Sequence, residues 1–192
     1  MKKILTLTLA LALVLSLAAC GGNNTASGNN DDTNLPASAL ELLSNVWASY
    51  AEDEKFYAMG GDISAIVENA PGAYSLADPA AATATLMVPG EEISKISEAA
   101  SLMNGMMANF FTCGVYRLAD GQDAKAFAET MKTAFTNGRW VCGMPEQMLI
   151  ASIGNQYVIA AFGLADSIST FQNKLTSVYS NTQVLYTDPI LA

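Results

Sequence analysis

Alternating strand and helix patterns in the second half of the chain constrain its fold more than any other sequence feature. Aromatic and β-branched residues over 109–118 predict a strand. Asp120 then begins a helix with one apolar face, and Asn137-Gly138 ends it. Two apolar runs separated by Gly154-Asn155 predict a hairpin, because two residues of this kind form a tight turn.

The last two patterns of this half are a helix that begins at Asp166 or Ser167 and a strand over 182–186. The complete order is therefore βαββαβ, which is the order of a ferredoxin-like α+β sandwich over about residues 109–187. Right-handed crossover connections predict that the strand beginning at 109 lies in the centre of the sheet. Its expected neighbours are the strands that begin at 156 and 182.

The region before this sandwich is predicted to be an N-terminal helical extension. Ser38-Ala39-Leu40-Glu41 is a capping box, and the apolar spacing behind it predicts an amphipathic helix over 38–51. The core of residues 38–107 alone looks too small for a separate domain. We therefore expect residues 37–192 to form a single globular α+β domain.

The remainder of this extension has weaker patterns. Residues 52–82 are irregular, with a short helix predicted at 63–69, and residues 84–88 predict a short strand. A second amphipathic helix is predicted beyond them, from apolar residues that recur three and four positions apart. These residues are Ile93, Ile96, Ala100, Met103 and Met107.

The first twenty residues have the composition of an export signal. Met1-Lys2-Lys3 is a short positive segment, and Ile4–Leu17 is an apolar run shorter than a membrane-spanning helix needs. Leu17-Ala18-Ala19-Cys20 matches the lipobox of bacterial lipoproteins. This resemblance implies that residues 1–19 are a signal peptide and that Cys20 Sγ carries diacylglycerol, with acyl chains such as palmitate. The alternative is an ordinary secretory signal peptide with an unrelated cysteine.

Residues 20–36 are predicted to be the lipidated cysteine and a flexible tether. The stretch 21–34 is polar and rich in Gly and Asn, so its fourteen or so residues span roughly 20 Å as a coil. Pro36 ends this stretch. The expected location is therefore the cell membrane, where the lipid on Cys20 anchors a globular part that faces the outside of the cell.

The charge of the chain excludes several classes of partner. Nine basic and eighteen acidic residues give a net charge of −9, and removal of Lys2 and Lys3 with the leader makes it −11. A chain this acidic, with no basic cluster, is not expected to bind nucleic acid or anionic lipid headgroups. The chain also has no histidine, which removes most catalytic triads and most zinc sites.

Two cysteines remain once Cys20 is lipidated. Cys113 and Cys142 form no Cys-x-x-Cys motif, so a thioredoxin-like redox role lacks its sequence signature. In an oxidising extracytoplasmic compartment they could form a structural disulfide. The alternative is that Cys113, which alternates in phase with Phe111 and Val115, is a small apolar residue of the core.

The sequence predicts no catalytic, cofactor or metal site. Met103-Asn104-Gly105-Met106-Met107 has the thioethers of a Cu(I) site, but two of these methionines already belong to the predicted helix stripe. Asp120-Gly121-Gln122-Asp123 lacks the further oxygen ligands of a calcium loop. Met59-Gly60-Gly61-Asp62 lacks the strand-to-helix context of a phosphate loop. We therefore expect a protein that is not an enzyme and holds no cofactor.

One edge of the predicted sandwich has the composition of a contact surface. In a βαββαβ fold the chain entering the first strand and the loop entering the second lie at the same end of the sheet. This places Met106, Trp140 and Met144 together, between glycines. Methionine and aromatic side chains are typical of adaptable interfaces. The alternative is that the three side chains close the end of the core.

Several short motifs resemble one group of known proteins. Val46-Trp47-Ala48-Ser49-Tyr50, Met59-Gly60-Gly61-Asp62 and Cys142-Gly143-Met144-Pro145, together with Cys20 and its tether, are similar to small uncharacterised lipoproteins of Gram-positive anaerobes. Some of these are labelled bacteriocin-transport accessory proteins. That label implies a thioredoxin-like protein, and the paired cysteines of such a protein are absent from this chain.

The function expected from the sequence is therefore that of a membrane-anchored binding or adaptor module without catalytic activity. Its partner is an unidentified protein or small ligand. The alternative is a solute-capturing lipoprotein associated with a transporter. A deep apolar pocket favours solute capture, whereas an exposed apolar surface favours an adaptor.

Overall fold

A computed structural model describes residues 35–140 and 144–190 of the chain. Within these residues the fold has four α-helices and eight strands. The helices are α1 (Ala39–Ala48), α2 (Pro79–Leu86), α3 (Ala124–Thr136) and α4 (Ala165–Val178). The strands are β1 (Ala58–Gly60), β2 (Val67–Glu68), β3 (Gly72–Ala73), β4 (Ile96–Asn104), β5 (Phe111–Leu118), β6 (Gln147–Ile153), β7 (Tyr157–Gly163) and β8 (Thr182–Tyr186).

All eight strands belong to one open antiparallel sheet. The strand order is β2-β1-β4-β5-β7-β6-β8, and β3 pairs with β4 beside β1. The longest pairings are β4 with β5, β5 with β7 and β6 with β7, which form the middle of the sheet. The predicted α+β class is therefore confirmed.

The second half of the chain has the predicted order of elements but a different strand arrangement. The series β5, α3, β6, β7, α4, β8 is the expected βαββαβ. β5 also lies beside β7 as expected, but its other neighbour is β4, and β8 pairs with β6 at the edge of the sheet. The ferredoxin-like arrangement, which needs β8 beside β5, is therefore not confirmed.

The directions of the strands explain where the two crossover helices lie. α3 connects β5 to β6 across β7, and α4 connects β7 to β8 across β6. Both connections cross the sheet toward β8, but the strands from which they start, β5 and β7, are antiparallel. Right-handed connections then require the two helices to lie on opposite faces of the sheet. The result is three layers, with helices on both faces.

Each face of the sheet has its own hydrophobic core. Helices α1 and α4 cover one face, where Trp47 and Phe171 pack with Phe111. Helices α2 and α3 cover the other face, where Phe127 packs on Tyr116 at 5.5 Å between ring centroids. Because both faces are buried, the central strands β5, β6 and β7 are apolar along nearly their whole length.

The first half of the chain contributes strands as well as helices to this architecture. α1 forms as predicted, with Ser38 Oγ accepting a hydrogen bond from Glu41 N at 3.0 Å. The helix predicted from Ile93 to Met107 is instead mainly strand β4, and the strand predicted at 84–88 overlaps helix α2. The short helix predicted at 63–69 is a turn followed by β2. The expected helical extension is therefore wrong for this part.

The capping residues of α3 and α4 also differ from those expected. Asp123, not Asp120, caps α3, and its Oδ1 accepts from Lys125 N at 2.8 Å. α4 begins after Leu164, which has no capping side chain. Its first amide, Ala165 N, donates instead to the Glu146 carboxylate at 2.9 Å, which satisfies one exposed backbone donor of the helix.

Among residues 35–140 and 144–190, no helix is both long and apolar enough to cross a bilayer. The predicted signal peptide, Cys20 and the predicted tether lie outside the described residues.

Two glycines allow two backbone segments to approach closely beside β4. A Cβ atom on Gly60 would lie 2.1 Å from Gly72 N, and one on Gly72 would lie 2.4 Å from Gly61 N. No side chain fits between these segments, and the neighbouring atoms are backbone rather than movable side chain. The Gly-Gly pair of Met59-Gly60-Gly61-Asp62 therefore has a structural role.

Replacing Gly60 tests this close approach. We expect Gly60→Ala to lower the free energy of unfolding by about 3 kcal/mol, because the added methyl group overpacks a site bounded by backbone. Gly90→Ala is the matched control, since a Cβ atom there meets nothing within 4 Å. Urea unfolding of both variants gives the comparison. Equal stability of the two would contradict the close approach.

Candidate functional site

The predicted contact residues lie at one end of the sheet, which we call the loop end. Here β4 ends, β5 and β6 begin, and β7 ends. Backbone hydrogen bonds close this end, from Glu146 N to Gly163 O and from Leu164 N to Phe110 O, both at 2.9 Å. Met106 lies between β4 and β5, and Trp140 and Met144 precede β6. All three residues therefore lie in connections at the loop end.

The three residues differ in exposure. Trp140 is half-buried and its ring packs on Phe162 at 5.0 Å between centroids. Its Nε1 is buried without a hydrogen-bond partner in the described part of the chain. Met106 and Met144 are 56% and 43% exposed. Trp140 therefore packs on the core, whereas the two methionines face solvent.

A larger group of exposed apolar side chains lies along the β1–β2 side of the sheet. We call it the apolar margin, and it consists of Tyr57, Ile63, Ile66, Val67 and Met106. Ile63 is 87% exposed, the largest value of the five. Strand β1 connects the two parts of this group. Before β1, Tyr57 O accepts a hydrogen bond from Gly105 N at 2.8 Å, next to Met106. At the end of β1, Gly60 pairs with Val67. A concentration of exposed aliphatic side chains on one short segment is unusual for a surface that remains in water.

The loop that carries Ile63 is held in one conformation by Asp62. The Asp62 carboxylate accepts hydrogen bonds from Ser64 N at 2.8 Å, from Ser64 Oγ, and from Ser75 N at 3.0 Å. These bonds, the Ser64 hydroxyl first among them, hold the pKa of Asp62 below its usual range. Gly61 O accepts from the buried Ser101 Oγ at 3.0 Å. The apolar side chains are therefore displayed on a fixed loop.

Four of the five residues of the apolar margin lie in a segment of the sequence that is rich in acidic residues. Between residues 52 and 68 the acidic residues are Glu52, Asp53, Glu54, Asp62 and Glu68, and the basic residue is Lys55. Lys55 already binds Glu52 at 2.7 Å, and Glu54 binds Lys174 at 2.5 Å. Asp53 and Glu68 have no ion pair within the described residues. The segment that carries four of the five margin residues is therefore acidic, and we call its acidic residues the negative surround of the margin.

A shallow cleft of about 340 Å³ lies between α3 and β8. Lys132 lines it, with Nζ 2.6 Å from the Asp188 carboxylate and 4.4 Å from the centroid of the Tyr186 ring. The hydrogen bond to Asp188 raises the pKa of Lys132. This ammonium group is already matched by a carboxylate, so the charge of the lining that has no ion pair within the described residues is that of Glu129.

Cys113 is fully buried in the core between the sheet and the α1–α4 layer. Burial raises the pKa of its thiol, so the group is not a reactive thiolate at neutral pH. Cys142 lies outside the described residues, and the disulfide between these two cysteines stays a prediction. Trp140, two residues before Cys142, packs on the opposite face of the sheet from Cys113.

No group of three or more acidic or cysteine side chains within residues 35–140 and 144–190 has the arrangement of a metal site. Asp120 and Asp123, the calcium-like pair of the sequence, lie before α3, where Asp123 caps the helix. Residues 59–62 form the glycine contact and the Asp62 turn described above.

The chain matches no protein-family model, no curated protein and no solved structure.

Sequence reasoning found Met106 but missed the other four residues of the apolar margin. Ile63, Ile66 and Val67 lie within the short helix predicted at 63–69, and Tyr57 lies in the irregular segment before it. Apolar residues in such a segment, beside Gly60-Gly61 and Asp62, were the available signal. The prediction assigned this short helix no packing partner, so it gave no indication that these side chains would be exposed.

Replacing Trp140 tests how much its half-buried ring stabilises the fold. We expect Trp140→Ala to lower the free energy of unfolding by about 2 kcal/mol, less than the ~3–5 kcal/mol lost with a fully buried aromatic ring. Met144→Ala serves as the control, because its side chain is exposed and its change stays within about 0.5 kcal/mol. Thermal and urea unfolding measure both. An unchanged stability for Trp140→Ala would show that the ring does not support the core.

Proposed function

We propose that this chain is a membrane-anchored extracytoplasmic lipoprotein that acts as a binding or adaptor module without catalytic activity. The observation that supports it best is the apolar margin, with Ile63 87% exposed on a loop fixed by Asp62. Burying such side chains against a partner releases roughly 25 cal/mol per Å² of apolar surface. Because the loop is already ordered, little conformational entropy is lost on binding.

The chemistry of the margin favours one kind of partner. Asp53 and Glu68 flank it without ion pairs in the described residues, and five acidic residues accompany one lysine over 52–68. A complementary surface is apolar with lysine or arginine at its rim. The negative surround disfavours an anionic lipid surface as the occupant. We therefore propose a protein partner with a basic, apolar surface.

The position of the margin agrees with a tethered module. The described chain begins at Leu35 beside the β6–β7 turn, where Tyr157 Oη donates to Pro36 O at 2.8 Å. The loop end is at the other end of the strands, about 26 Å away along the eight residues of β5. A tether attached to Leu35 therefore enters away from Tyr57 and Met106, the residues of the margin at the loop end.

A second candidate function is solute capture beside a transporter, and the cleft lined by Lys132 and Tyr186 is the feature that favours it. Its volume of about 340 Å³ is at the lower limit for small-molecule sites. The ion pair with Asp188 occupies the Lys132 ammonium group, and the Glu129 carboxylate that also lines the cleft disfavours an anionic solute. The adaptor proposal therefore has the stronger support.

The lipid anchor is tested by metabolic labelling. Cells that express the full chain are fed a labelled fatty acid, and we expect label on the wild type and none on Cys20→Ala. The variant should also retain its leader, because the resemblance to the lipobox implies cleavage before a lipidated cysteine. Equal labelling of both chains would exclude lipidation at Cys20.

The binding surface is tested by photo-crosslinking in intact cells. A photoreactive amino acid at Ile66 of the full chain should give a crosslinked protein product. Ile63→Glu should remove that product, because a carboxylate replaces an apolar contact within an already acidic surround. Ile63→Leu is the matched control and should keep the product.

The exposed position of Ile63 makes the result interpretable. Substitution there should change the free energy of unfolding by no more than about 0.5 kcal/mol, which a melt of each variant verifies. A product that persists in Ile63→Glu, or crosslinks to lipid alone, would contradict a protein partner at the apolar margin.

A further inference from the structure

The two edges of the sheet differ in how open they are to another strand. β2 forms one edge with two residues, and Asn69, directly after it, has a φ of 59° that ends the extended backbone. β8 forms the other edge with five residues and pairs only with β6 among the described residues. Unpaired backbone donors and acceptors along such an edge are a template for a further strand.

The sequence of β8 lacks most of the devices that protect an edge. No charged residue occurs from Leu175 to Thr187, although the chain has nine basic and eighteen acidic residues. Lysine and proline are the common protective residues, and the first of either after this stretch is Pro189. The register shift opposite Ile150 and Ala151 places a bulge at Leu185. The regular, open part of the edge is therefore Thr182–Val184.

We propose that β8 pairs antiparallel with β8 of a second copy of this chain, with the two-fold axis near Gln183. An antiparallel edge is self-complementary, because each strand offers the other the same alternation of N–H and C=O groups. Gln183 and Val184 are both exposed, so their side chains do not prevent approach of a second strand. Joining the two edges makes one continuous sheet.

Charge favours this edge over the other surfaces for contact between two copies. Two chains of the same net negative charge repel each other, and like charges opposite one another destabilise strand pairing. The thirteen residues Leu175–Thr187 are free of charge, and the nearby Asp188 is matched by Lys132 at 2.6 Å. Of the acidic stretch 52–68, Glu68 lies at the opposite edge in β2, and Glu54 is neutralised by Lys174 at 2.5 Å. The β8 edge is therefore where two copies meet with least repulsion.

The geometry is also compatible with two tethers in one membrane. The two-fold axis of an antiparallel pair is normal to the sheet, so the α1–α4 faces of both copies point the same way. Leu35, where the described chain begins, packs on the core of that face. Both tethers therefore start on one side of the joined sheet. Anchoring in a membrane would raise the effective concentration of copies, which a short strand contact needs.

The test is a cysteine scan of the full chain in membranes of intact cells, in a Cys142→Ser background where Cys113 remains as a fully buried thiol. Copper-phenanthroline is the oxidant. We expect Gln183→Cys to give a disulfide-linked homodimer, because the two-fold axis brings this residue opposite itself. Val67→Cys, on the β2 edge and also exposed, is the matched control and should give about tenfold less dimer.

A charge variant gives a second measurement. Val184→Lys added to Gln183→Cys places like charges in the contact and should lower the dimer yield by about tenfold, whereas Val184→Thr should preserve it. Dimer yields at Gln183→Cys no higher than at Val67→Cys, or unchanged by Val184→Lys, would overturn the proposal. Fractionation of the same cells reports membrane anchoring separately, so a failed anchor is distinguishable from a failed strand pairing.

Discussion

The pairing of β4 with β5 determines the rest of the architecture. It runs from Ile96 opposite Leu118 to Met103 opposite Thr112 and occupies the side of β5 that a ferredoxin-like fold leaves for its last strand. β8 therefore joins the sheet beyond β6, and its connecting helix α4 lies on the face opposite α3. α1 packs beside α4 on that face, and α2 lies with α3 on the other. Both faces of the sheet are covered as a consequence.

The same pairing explains which parts of the fold the sequence predicted. Helices α3 and α4 have apolar residues on one face, and Gly154 adopts a φ of 57° in the predicted turn between β6 and β7, so local patterns were sufficient there. β4 has no such local signal, because Ala100 and Leu102 pack on one core and Ala99 on the other. A strand buried on both faces loses its alternation and is easily mistaken for a helix. The neighbours of β5 are likewise a long-range property.

The candidate site was predictable to a similar extent. The loop end could be placed because parallel strands β5 and β6 begin at the same end of the sheet, and this located Met106, Trp140 and Met144. Which of them would be exposed depended on contacts from distant residues, such as that of Phe162 with the Trp140 ring. The position of Ile63 depended on Asp62, whose carboxylate binds Ser75, thirteen residues away. No periodic pattern encodes a contact of that kind.

Because helices cover both faces of the sheet, the surfaces left for interaction are its two ends and two edges. One end lies beside Leu35, where a tether would enter, and the loop end and the β1–β2 side display the apolar margin. The sheet order places β2 and β8 six strand spacings apart, about 29 Å at ~4.8 Å per spacing. A partner on the margin and a second copy on β8 would therefore not compete for space. Because both faces are covered, the two proposed interactions are confined to opposite sides of the sheet.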